Sequence, residues 1–164
     1  MDDKKTNEII KALNSILEFE LAGVVRYTHY ALMVYGYNRI PIVSWLREQA
    51  TESLGHADKA GEIITHLGGH PSLAIGPLLE THNHDIGDIL RESLAHELNT
   101  LNAYKNLLND FNESFNNFTQ GEYDKLKQVS EQYNSGILKL YTKDRDYKSG
   151  EVNKWVSSTG VTIF

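Results

Sequence analysis

The sequence predicts an all-α protein, a four-helix bundle with a long crossover between its second and third helices. Three observations carry that prediction. Four long segments repeat apolar residues at threes and fours. The links from first to second and from third to fourth segment are short, while the middle link is long. The three prolines fall at or outside segment ends.

Segment A runs from about Lys5 to Val34, with Ile9, Leu13, Ile16, Val24, Tyr27 and Ala31 in its apolar stripe. Tyr35-Gly36-Tyr37-Asn38 breaks it, and Pro41 suits the first turn of segment B. Segment B runs from about Pro41 to Leu67, with Ile42, Leu46, Ala60, Ile64 and Leu67. Gly68-Gly69 ends it, with Pro71 just beyond. The link from B to C holds Gly69, Pro71, Gly76 and Pro77 over about fifteen residues, enough to travel the length of a bundle. Segment C runs from about Asp85 to Asn112, and segment D from about Thr119 to Asp144. Their stripes are Ile86, Leu90, Leu101, Tyr104, Leu108 and Phe111, then Leu126, Tyr133, Ile137 and Leu140. Asn83 or Asp85 suits the N-cap of segment C; a loop metal site at His82 and His84 is the other reading. Residues 1–146 form the bundle, and 147–164 form a tail, as a short helix, an arm or disorder.

The 164 residues suit one domain with a sizeable core. Without cysteine, disulfides, thiolate metal sites and thiol catalysis are excluded. A net charge of −6 argues against nucleic-acid binding, which needs a basic face. No apolar run reaches the roughly 18 residues of a membrane helix. The charged stretch from Met1 to Asn7 has no apolar run behind it, so no signal peptide and a cytoplasmic address are expected.

Segments A and C share a pattern, Glu-Leu, five residues, then Tyr: Glu20-Leu21 to Tyr27 and Glu97-Leu98 to Tyr104. Glu20 to His56 spans 36 positions and Glu97 to Asn134 spans 37, so the two hairpins read as versions of one unit. At about 100° per residue, Glu20 falls within about 20° of the centre of its stripe, and Glu97 does the same. An acid in a core stripe is costly unless neutral, paired or bound to a cation. Neither stripe holds Lys or Arg, which favours a metal; the other reading is that each acid bonds a buried tyrosine or amide. His56 lies within about 30° of its stripe centre, and Glu52, one turn earlier, about 60° off. Imidazole with carboxylates suits iron, manganese or zinc. His96 lies about 80° from the Glu97 stripe centre, which places it at a subunit surface or behind Glu97. Tyr27 and Tyr104 sit two turns after the acids, as hydrogen-bond donors or electron sources.

At these residues the sequence resembles the bacterioferritins, over about residues 5 to 145. The landmarks are Glu20-Leu21 with Tyr27, His56-Ala57-Asp58, Leu67-Gly68-Gly69-His70-Pro71 and Glu97-Leu98. The resemblance implies a ferritin-like fold and a di-iron centre inside each subunit. It also implies a homo-oligomeric shell, usually of 24 subunits, in which ferrous iron is oxidised by O2 or H2O2 and stored. Carried over, Glu20 and Glu97 match the acids on the first and third helices, His56 the histidine on the second and Glu131 the bridging acid on the fourth. Ser53 replaces the bridging acid on the second helix and Asn134 the histidine on the fourth, leaving one or two irons per subunit open. Glu52 is the candidate substitute bridge. The family's haem methionine is Leu54 here, so no haem is expected. The expected activity is ferroxidase-linked iron storage at Glu20, His56, Glu97 and Glu131, with Glu52 assisting. The rival readings are a non-catalytic shell subunit or single-metal binder, a peroxide-protecting miniferritin, and a di-iron oxidase.

Overall fold

A computed structural model describes residues 3–36, 39–78, 81–112 and 120–148. The elements are α1 (Asp3–Met33), α2 (Arg39–His66), α3 (Ile86–Asn112) and α4 (Gln120–Lys148). Each lies within a few residues of its predicted span, and the described residues contain no strand. The tail from 149 lies outside the described residues. Among those residues no helix is long and apolar enough to cross a membrane.

Local chemistry sets the helix ends. Gly36 follows α1 at φ 91°, a left-handed conformation that glycine adopts without steric cost. Pro41 sits in the first turn of α2, where its missing N–H removes no helical bond. At the end of α2, Gly69 N donates to Ile64 O at 2.9 Å and Gly68 N donates to Thr65 O at 3.0 Å. This is the Schellman pattern, and Gly68 takes the left-handed position at φ 76°. Asp85 caps α3, its Oδ2 accepting from Gly87 N at 3.0 Å.

The crossover is strapped along α1. The Asn14 side chain donates to His70 O at 3.1 Å and accepts from Ser72 N at 2.7 Å. One turn on, Glu18 Oε1 accepts from Ser72 Oγ at 2.6 Å and Glu18 O from Gly76 N at 2.9 Å. A Cβ on Gly76 would stand 3.0 Å from Glu18 O, so a larger residue would lift the strap off the helix. The crossover leaves α2 beside Ile10, and Ile86 packs with the cluster around Tyr30 and Val34 at the other end of α1. The link therefore runs the length of the bundle, which makes the topology ferritin-like.

The core has two apolar parts. One gathers Leu13, Ile16, Leu17, Ile64, Leu101, Leu107 and Leu126. The other gathers Tyr27, Tyr30, Val34, Ile42, Leu46 and Ile89. Between them in chain order on α1, α2 and α3 lie the buried polar residues Glu20, Ser53, His56, Ser93, His96, Glu97 and Thr100. Burying that many polar groups is costly without partners, so this belt is where function is to be sought.

Candidate metal centre

The two acids of the repeat are both inside: Glu20 is 0% exposed and Glu97 is 6% exposed. Their partners are exchanged between the hairpins. Tyr27 on α1 donates to Glu97 on α3, and Tyr104 on α3 donates to Glu20 on α1 at 2.8 Å. Each tyrosine is seven positions after the acid of its own helix and bonds the acid of the other. This reciprocity is what an antiparallel α1–α3 pair with a pseudo-twofold relation produces. The alternative read from the sequence, acids satisfied by buried tyrosines, is thus realised for both.

Glu20 carries more. Tyr133 on α4 donates to its Oε2 at 2.7 Å. His56 Nδ1 stands 3.5 Å from Glu20 Oε1 and has no hydrogen-bond partner among the described residues. The other imidazole nitrogen, Nε2, faces Gln132 Oε1 at 3.0 Å.

Electrostatics follow from this packing. Burial, the largest cause, raises the Glu97 pKa to about 7; the Tyr27 hydrogen bond opposes it, and the charges of Glu20 and Glu52 add to it. For His56, burial pulls downward, but Glu20, Gln132 and Glu52 together leave its pKa raised. Burial raises Tyr27, Tyr104 and Tyr133 well above the usual phenol range, so all three remain protonated donors.

Two expected ligands lie elsewhere. Glu131 is exposed, and α4 turns Ser130 and Tyr133 inward instead. The true repeat offset explains this. Glu97 to Tyr133 spans 36 positions, as Glu20 to His56 does, and Glu97 to Ser130 spans 33, as Glu20 to Ser53 does. Taking Asn134 as the histidine's counterpart shifts α4 by one residue, a rotation of about 100° that moves Glu131 off the inner face. Asn134 lies outside the described side chains. Glu52 is also exposed, and it accepts from Gln49 Nε2 at 3.3 Å rather than bridging inward.

Other buried polar groups escaped the sequence reading. His96 is 1% exposed, edge-on to Tyr27 with ring centroids 6.3 Å apart, and not at a surface. Glu92, one turn before His96 on α3, accepts from Tyr30 and Thr81. Arg26 and Ser93 are also buried in the belt. The signal was present: Ile89, Ser93, His96 and Thr100 recur at threes and fours, a second buried stripe beside the Glu97 one.

A di-iron centre does not fit these residues. Among the described residues no three His, Asp or Glu side chains gather closely enough to hold a metal ion. Serines stand at both bridging positions and a phenol at the second imidazole position. Both oxygens of Glu20 accept tyrosine hydroxyls.

The fold agrees with what known proteins show. No curated protein matches the chain. A crystal structure described as ferritin-like, diiron-carboxylate proteins from Bacillus anthracis str. Ames superposes with a TM-score of 0.78 at 21% identity. It covers 84% of this chain and 96% of that one. Residues 10–121 match the model of the ferritin-like domain. That span is more than half of the chain and contains most of α1, all of α2 and α3, and the crossover, and so the chain belongs to the ferritin-like family.

Proposed function

We propose that this chain is a bacterioferritin-like, iron-binding subunit whose internal centre accepts one divalent cation and does not carry out two-iron oxidation. The observation behind this reading is the inner face of α4, where Ser130 and Tyr133 are buried in place of a carboxylate and an imidazole. A carboxylate can bridge two cations through its two oxygens; a neutral serine hydroxyl cannot replace it. Tyr133 further commits its hydroxyl to Glu20.

A single cation has better support. His56 Nδ1 is buried, lacks a hydrogen-bond partner among the described residues and faces Glu20 Oε1 at 3.5 Å. Glu20 and His56 supply one carboxylate and one imidazole, hard enough for ferrous iron or manganese and nitrogenous enough for zinc, while Glu97 stays on Tyr27 and does not close on the same point. The cation must displace Tyr104 and Tyr133 from Glu20, which weakens its binding. Such a subunit acts as a non-catalytic or slowly loading member of a homo-oligomeric cytoplasmic shell. The expected ferroxidase activity is the reading it replaces.

Anaerobic titration with Co(II) is expected to saturate at one equivalent per chain, and His56→Ala to abolish the optical change. Aerobic Fe(II) is expected to yield ferric absorbance no faster than in protein-free buffer. Two equivalents with rapid ferric absorbance would restore the ferroxidase reading. Conversely, Ser53→Glu, Ser130→Glu and Tyr133→His made together should raise the cobalt stoichiometry to two, because they rebuild the missing bridges and imidazole on a frame that already has the register.

A further inference from the structure

Beside the acids, the polar belt holds a second group of side chains with different chemistry. Arg26 on α1 is 3% exposed, and Ser93 and His96 on α3 are 0% and 1% exposed. Arg26 Nη2 donates to Tyr30 Oη at 3.1 Å, and the guanidinium lies over the Tyr30 ring at 5.4 Å. Its Nε and Nη1 have no hydrogen-bond partner among the described residues, nor have Ser93 Oγ and His96 Nε2. The bonds from Tyr27 to Glu97 and from Tyr30 to Glu92 set α1 antiparallel to α3. The turn from Arg26 to Tyr30 therefore runs beside the turn from Ser93 to His96. Gly23, one turn before Arg26, lets the helices close in: a Cβ there would stand 2.7 Å from Ser53 Oγ and 3.1 Å from His96 Nε2.

We propose that Arg26, Ser93 and His96 form a buried site between α1 and α3 for one small monovalent anion, of halide or formate size. The donors available are guanidinium N–H groups, a hydroxyl and an imidazole N–H, all suited to an acceptor that carries charge. A buried guanidinium with two of its nitrogens unpaired is costly, and an anion offsets that cost more fully than a water does.

The test uses the full chain. Crystals soaked in sodium bromide should give a bromine anomalous peak among Arg26, Ser93 and His96. In solution, bromide and formate should each raise the thermal midpoint saturably over gluconate at equal ionic strength, gluconate being too large to enter. Bromide alone acting would mark a halide site, and formate acting more strongly an oxyanion site. Ser93→Ala should weaken bromide binding by about threefold to tenfold, the loss of one hydrogen bond. Arg26→Met should remove the anion dependence. If Arg26→Met does not fold, Ser93→Ala and the anomalous map decide. An ordered water without anomalous signal, or equal midpoints in all three salts, would overturn the proposal.

Discussion

The α1–α2 hairpin and the α3–α4 hairpin each turn one glutamate inward, and the same spacings carry each to its second helix. What they find there differs. The first hairpin brings His56 against Glu20; the second brings Tyr133, which reaches across to Glu20 rather than to its own Glu97. Glu20 thus gathers two phenols and an imidazole, whereas Glu97 accepts from Tyr27. A repeat that is symmetric in backbone register has become asymmetric in chemistry. One acid is the hub of a hydrogen-bonded network; the other is held mainly by burial, which the raised Glu97 pKa records. Symmetry of a frame is therefore no guarantee that two cations are held alike.

Removing each acid separates hub from passenger. Glu20→Leu fills the same volume but leaves the hydroxyls of Tyr104 and Tyr133 without their acceptor. At about 1–3 kcal/mol for each orphaned buried donor, the expected loss is about 4 kcal/mol. Glu97→Leu orphans only Tyr27 and relieves an acid that burial disfavours, so at pH 8 it should change stability by less than about 1 kcal/mol. Urea unfolding of both variants measures the difference. Equal losses would show that the hairpins share the load and that Glu20 is no hub.

The same asymmetry sets a pH dependence. Glu97 titrates near 7 folded against an ordinary value of 4.5, so its contribution is complete below pH 4.5 and is lost as pH rises toward 7. A shift of that size corresponds to about 3 kcal/mol. His96 has the opposite sign: lowered from 6.5 to about 4, it stabilises above pH 6.5 and loses that contribution as pH falls. The two slopes partly cancel in the parent protein. The clean readout is the comparison with Glu97→Gln, whose advantage over the parent should grow by about 3 kcal/mol between pH 4.5 and 7 and then stay constant. A constant difference across that range would refute the assignment to Glu97.

Much of this was legible beforehand, for identifiable reasons. Helix ends follow Gly36, Pro41, Gly68 and Asp85, whose backbone preferences are local. The acids declare themselves because each lies in a stripe otherwise apolar. The α4 register does not, because a shift of one residue rotates the whole inner face by about 100°. Leu126, Val129, Ser130 and Tyr133 are all buried and follow the i, i+3, i+4, i+7 pattern, a stripe that includes Val129 and excludes Glu131. Arg26 and His96 were hidden differently: their burial depends on Gly23 bringing α1 close to α3 and Ser53, a tertiary fact that periodicity does not encode.

The smallest test compares two single hydroxyls. Tyr133→Phe removes one of two phenols on Glu20, and the carboxylate keeps Tyr104, so the loss should be about 1 kcal/mol with little change in the pH profile. Tyr27→Phe removes the hydrogen bond that opposes the upward shift of Glu97. At pH 5, where Glu97 is protonated, it should also cost about 1 kcal/mol. Its distinguishing effect is on the profile: the fall in stability with rising pH should extend above pH 7, because the folded acid now holds its proton longer. Two variants alike in chemistry and in cost at pH 5 would then diverge at pH 8, with Tyr27→Phe the less stable. If they remain equal at both pH values, the phenol on Glu97 does not tune that acid, and the asymmetry between the hairpins must reside in His56 alone.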